Sequence, residues 1–185
     1  MWDIFAYPFF QRALAGSLLI GFLSPLLGTY LVLRRLSMIG DTIAHVSVAG
    51  VALGFLLGLY PIGAGIVFAL LAALAIERLR AAYRTYAELS IAILMSGGIA
   101  VATFLFTLGQ GFNVNVAGWF FGSVYSLDGS DLAAIAAVTA ASLIVIALHA
   151  KEFFLLTFDE DAAAVAGLPV RALNVALTVL TALVI

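Results

Sequence analysis

Cysteine is absent from these 185 residues, which excludes disulfides, thiolate metal ligands and a cysteine nucleophile. Charge is scarce. Asp, Glu, Lys and Arg together make up 10% of the chain, where a soluble domain carries about a quarter. There are only two histidines, and no His-Glu-x-x-His pair of the kind an intramembrane metalloprotease would want. The single lysine, Lys151, lies in no Gly-x-x-x-x-Gly-Lys loop, so any work driven by ATP needs another subunit to hydrolyse it. The first twelve residues carry Asp3 and no basic run, a poor match to a cleaved signal peptide.

What the chain does have is apolar surface: 65% of residues are hydrophobic and the mean hydropathy is +1.21. These values predict an all-α, polytopic membrane helical bundle forming one domain over residues 1–185. Five apolar stretches could span, at residues 13–33, 38–59, 62–76, 89–108 and 132–148. A sixth begins at 172 and is still apolar at the last residue, so the chain is expected to be a C-terminally truncated fragment. If the spans alternate, Arg34, Arg35, Arg78, Arg80, Arg84, Lys151 and Arg171 share one side and Arg12 faces the other. By the positive-inside rule the shared side is cytoplasmic and the N-terminus extracytoplasmic. Between the fourth and fifth spans, Trp119, Phe120, Phe121 and Tyr125 suit the outer headgroup region, as an interfacial anchor or a short helix over an outward cavity.

Residues 36–60, LSMIGDTIAHVSVAGVALGFLLGLY, put one carboxylate, Asp41, and one imidazole, His45, in a segment that otherwise belongs in lipid. Ionisable groups are costly there and ordinarily face a protein interior or a watery path. The i, i+4 spacing stacks both on one helical face, which Val48 and Ala52 continue, and places His45 near the middle of the bilayer core. That pair could bind a cation. It could instead be an Asp–His hydrogen bond that packs helices, or Asp41 could cap the helix. Two ligands do not complete a zinc site, which usually takes four; a two-fold dimer would bring two Asp and two His together. On the far side of the helix, Ser47, Gly50, Gly54 and Gly58 form a small-residue stripe suited to close helix packing.

Glu77 and Glu88 read as interfacial charges flanking Arg78, Arg80 and Arg84. Two further features lie on the basic side. His149, at the end of the fifth span, is accounted for by the helix dipole alone. Residues 157–171, TFDEDAAAVAGLPVR, read as a short helix capped by Thr157 or Asp159, with Glu160 and Asp161 in its first turn and Gly167 and Pro169 ending it. Such an element could dock a soluble partner or merely connect two spans.

Arg34-Arg35, Gly40-Asp41, His45 and Gly50-Val51-Ala52-Leu53 together resemble the second-helix region of the permease subunits of bacterial ABC importers for divalent metal ions, the zinc/manganese/iron group. Phe121-Gly122-Ser123 and Ser130-Asp131-Leu132 look like that family's outer short helix and the entry to its next span. Asp161-Ala162-Ala163 with Gly167 resembles the Glu-Ala-Ala-x-x-x-Gly coupling signature, with Asp in place of Glu. The resemblance implies a non-catalytic transport subunit in the bacterial inner membrane with no resident cofactor. It would work as a homodimer or a pseudo-symmetric pair, fed by an extracytoplasmic metal-binding protein and driven by a separate cytoplasmic ATPase. Asp41 and His45 would then bind the passing ion, Zn²⁺ ahead of Mn²⁺ or Fe²⁺. Asp159, Glu160, Asp161, Ala162, Ala163 and Gly167 would couple to the ATPase. The alternatives are a permease for metal chelates of the siderophore type, an intramembrane metalloenzyme, and a purely structural membrane subunit.

Overall fold

The computed structural model describes residues 7–83, 86–109 and 127–185; Arg84, Trp119, the 121–123 triplet and the rest of the outer aromatic segment lie outside them. Among the described residues the chain is all-α, as expected, with eight helices: α1 Pro8–Leu33, α2 Met38–Leu57, α3 Pro61–Ala82, α4 Ala87–Leu108, α5 Gly129–Leu148, α6 Ala150–Phe158, α7 Glu160–Val165 and α8 Val170–Val184. Helices α1 to α5 are long and apolar enough to cross a membrane. Helix α8 has 15 residues, about 22 Å at 1.5 Å per residue, short of the roughly 30 Å hydrocarbon core.

Local chemistry sets the ends of these helices. Proline opens α1 and α3, where its missing N–H is no loss. Helix α2 stops at Gly58, whose φ of 65° lets the Leu59 N–H reach back to the Gly54 carbonyl (2.9 Å). This corrects the place given to Gly58 in the packing stripe. A Cβ there would meet no atom of the described residues within 4 Å, and its work is to turn the chain in the left-handed region that side chains avoid. Helix α7 ends the same way at Gly167 (φ 79°), with Leu168 N–H bonded to the Ala163 carbonyl at 3.1 Å.

Two stretches differ from the sequence reading. The third span does not end at Ile76 but runs on to Ala82, because Glu77 is neutralised by Arg80 one turn later (2.9 Å) and covered by α8 rather than left at an interface. The fifth span is followed at once by α6, which the sequence reading did not separate from the connecting loop. His149 closes α5 and opens α6, and Phe153 and Leu156 anchor α6 in the core, Phe153 against Tyr30 of α1.

Helix α2 is held tightly on two sides. A Cβ on Gly50 would lie 2.6 Å from the Ala64 carbonyl oxygen and from Phe68 Cβ of α3, and one on Gly54 would lie 2.8 Å from Pro61 Cα. From the facing helix, Gly65 comes equally close to Val51 and lies near the Ser47 carbonyl. On the other side Gly98 of α4 meets the Val46 backbone, and Thr42 Oγ1 donates to Met38 O and, at 3.4 Å, to Ile91 O. Small residues are what let these backbones close without hydrophobic help from lipid.

Candidate functional site

Asp41 stands in the first turn of α2, where the helix dipole favours a carboxylate. Ser37 precedes the helix but makes no capping hydrogen bond, and Asp41 itself caps nothing. His45 follows one turn on, about 6 Å further along the axis. The contacts of α2 with α3 pair residue 50 with 64–68 and residue 54 with 61–64. Continued toward the start of α2, that register sets His45 level with the middle of α3.

At about 100° per residue the Asp41–His45 stripe lies roughly opposite Ile39, Ile43 and Gly50, the face buried against the rest of the chain. Within the single chain Asp41 is exposed, His45 half-buried and Ala52, further along the stripe, fully buried. Neither Asp41 nor His45 makes a hydrogen bond or ion pair with another described residue. The pair therefore does not form the intrachain Asp–His bond that was one reading of the spacing. Among the described residues no cluster of three or more His, Asp or Glu side chains gathers. Each chain thus offers one oxygen and one nitrogen donor on the side of α2 away from Ile39, Ile43 and Gly50, the carboxylate exposed and the imidazole half-buried.

The second constellation lies at the end where α1, α3, α7 and α8 meet. Asp159 caps α7, its carboxylate accepting from the Ala162 N–H at 2.8 Å. Glu160 bonds with both oxygens: Oε2 accepts from Arg34 Nη2 (3.0 Å) and Oε1 from Asn174 Nδ2 (3.1 Å). Arg34 Nη1 donates to Asn174 Oδ1 at 2.6 Å. The three side chains close a ring. Ala163 faces inward and is fully buried, whereas Asp161 and Val165 face out, Val165 91% exposed. Burial, then repulsion from Arg80, pulls the Arg34 pKa below its ordinary value, and Glu160 and Glu77 oppose that pull.

Beside the ring, Glu77 Oε2 accepts from Arg80 at 2.9 Å and from Thr178 Oγ1 at 3.4 Å. Sequence reasoning treated Glu77 as an interfacial charge and passed over Asn174. The available signal was an asparagine one turn into an otherwise apolar helix, since a buried amide requires partners.

Five membrane-length helices, one of them central and bearing an acid and an imidazole without a partner among the described residues, define a polytopic integral membrane protein. Residues 6–185 match the model of the ABC 3 transport family, and the chain belongs to that family. It is 32% identical to a probable metal transport system membrane protein of Treponema pallidum, over 91% of this chain and 63% of that protein. Against the manganese transport system membrane protein MntC of Bacillus subtilis it is 34% identical, covering 94% of this chain and 42% of the other. The chelated iron transport system membrane protein YfeD of Yersinia pestis is 32% identical over 98% of this chain and 61% of its own length. In structure the chain is similar to PsaBC from Streptococcus pneumoniae in complex with Fab, with a TM-score of 0.76 and 29% identity, covering 98% of this chain and 66% of that one. The chain thus spans about three-fifths of the length of the Treponema pallidum and Yersinia pestis proteins and 42% of MntC.

Proposed function

We propose that this chain is the membrane subunit of an ATP-driven importer that carries a divalent first-row metal cation across the cytoplasmic membrane. One observation carries the reading: a carboxylate and an imidazole, a turn apart on the central helix, have no partner among the described residues. Such groups persist at membrane depth when they face a cavity or each other across an interface. A second copy related by a two-fold axis would bring two such stripes together and supply the four donors that a zinc site usually takes. The basic end, with Arg34, Arg80 and Arg171, faces the cytoplasm in this reading, and the N-terminus is extracytoplasmic. An extracytoplasmic metal-binding protein delivers the ion. A cytoplasmic ATPase grips residues 159–167, whose outer face at Asp161 and Val165 is free to receive it.

Imidazole suits Zn²⁺ and carboxylate suits Mn²⁺, so the donor pair admits either, and Fe²⁺ as well. The test is uptake of radiolabelled Zn²⁺, Mn²⁺ and Fe²⁺ by cells or liposomes containing the assembled importer. Asp41→Ala and His45→Ala should each abolish uptake of the cargo while the ATPase still co-purifies. Normal uptake by either variant rejects the site. A relative's name specifies chelated iron, and that second reading is favoured instead if the transporter takes up the chelate and ignores the free ion.

A further inference from the structure

The ring of Arg34, Glu160 and Asn174 joins three elements far apart in sequence. Arg34 ends α1, Glu160 begins α7 and Asn174 lies one turn inside α8. Its geometry is specific. The guanidinium divides its two Nη atoms between a carboxylate and a carboxamide, and the carboxamide returns its own N–H to the other carboxylate oxygen. An ammonium could not copy this, because its donors do not form a planar fork. The Arg34 side chain is only 5% exposed, while the Glu160 side chain is 45% exposed, so the ring runs from the interior to the surface where α7 protrudes.

The backbone on either side holds the ring in place. Arg35 adopts φ 58°, the only positive φ among the described non-glycine residues. Its conformation directs the Leu36 N–H back onto the Leu31 carbonyl at 2.8 Å. Leu36 then leads into α2, the helix of Asp41 and His45, after a connection of four residues. A push on α7 therefore has a short mechanical route: through Glu160 to Arg34, into the α1–α2 corner, and so to the helix bearing the donor pair. Asn174 delivers the same push to α8.

We propose that Arg34 is the positioning residue that latches α7 to α1 and α8, so that displacement of α7 by a partner moves the metal-bearing helix rather than α7 alone. This rests on the reading that α7 docks the ATPase. The latch acts through other groups and touches no cargo. Its loss leaves the docking face intact and separates ATP hydrolysis from transport.

The experiment measures metal moved per ATP hydrolysed by the assembled importer in liposomes, together with the amount of ATPase that co-purifies. Arg34→Gln should keep the ATPase bound and lower the ratio at least tenfold. Arg34→Lys, which keeps the charge and loses the fork, should lower it severalfold. A merely structural role would cut transport and hydrolysis together in step with protein yield and leave the ratio alone. That result overturns the latch, as does loss of ATPase binding in Arg34→Gln. Should Arg34→Gln fail to fold, Glu160→Gln gives the second measurement. It is isosteric and partly exposed, it removes one of the two accepting oxygens, and it must lower the same ratio. Docking is tested separately with Val165→Glu. ATPase retained there removes the docking reading itself, whereas an unchanged ratio in Arg34→Gln removes the latch only.

Discussion

Glu77 leaves only 8% of its surface exposed, and its carboxylate accepts from the Arg80 guanidinium one turn later and from the Thr178 hydroxyl of α8. Removing one member of a buried pair strands the other, at a cost of about 3–5 kcal/mol, whereas the pair itself adds little over an apolar replacement. Glu77→Ala should accordingly lower the unfolding midpoint of the detergent-purified protein far more than Glu77→Gln, which still accepts from both neighbours. Equal midpoints for the two would show that Arg80 finds water at once and needs no partner. Arg35 is the opposite case, a residue held where its Cβ crowds the backbone at a cost of roughly 1 kcal/mol. Arg35→Gly should raise the same midpoint, and Arg35→Val, branched at the crowded carbon, should lower it. If the glycine variant is no more stable, the strain is relaxed elsewhere in the α1–α2 corner.

At the scale of helices, α4 carries two adjacent glycines in unlike surroundings. A Cβ on Gly98 would meet Val46 at 2.7 Å and its backbone nitrogen and Cα at 3.2 Å, while one on Gly97 meets nothing within 4 Å. Alanine at position 97 gains up to about 1 kcal/mol of helix propensity at no steric cost; at 98 it forces α2 and α4 apart. Gly97→Ala should be neutral or stabilising and Gly98→Ala clearly destabilising, and a reversed order in a thermal melt would contradict the packing of α2. The start of α5 is set by charge instead. Asp128 accepts from Ser130 Oγ and from the Ser130 and Asp131 N–H groups, which hold its carboxyl below the ordinary 3.8. Its contribution is complete above that ordinary value and disappears as the pH falls through the lowered one. Asp128→Ala should therefore weaken protection of the first α5 amides against hydrogen exchange at neutral pH, and differ least from the parent under strongly acidic conditions. The elements were legible in the sequence wherever apolar length or a cap fixed them: five spans, and α7 with its Asp159 cap and Gly167 stop. The end of α3 and the existence of α6 were not, because both depend on what covers them. Glu77 and Arg80 look like a membrane boundary until α8 is laid over them, and α6 follows α5 with only His149 between. The Asp41–His45 stripe could be placed on its helix from spacing alone. Its outward direction could not, since that depends on which face of α2 the glycines of α3 and α4 take.

For the whole molecule, the helices join a basic end, where Arg34, Arg80 and α7 meet, to an opposite end holding the α2–α3 corner at Gly58–Tyr60 and the cap of α5 at Asp128. The proposed function takes the first of these to face the cytoplasm, on charge asymmetry, because a cytoplasmic ATPase can grip α7 only from that side. The absence of cysteine makes this directly measurable: any introduced thiol is the sole reactive one in the chain. Val165→Cys, at the exposed tip of α7, should react with a membrane-impermeant maleimide in inside-out vesicles and stay unlabelled in intact spheroplasts. Ser130→Cys, in the exposed first turn of α5, should do the reverse. Both residues are exposed on the chain, so in vesicles lacking the ATPase subunit a silent thiol on one side reports the membrane and not burial. Labelling of Val165→Cys from outside would invert the bundle, place α7 beyond reach of any cytoplasmic subunit, and remove the route by which ATP could drive the ion past Asp41 and His45.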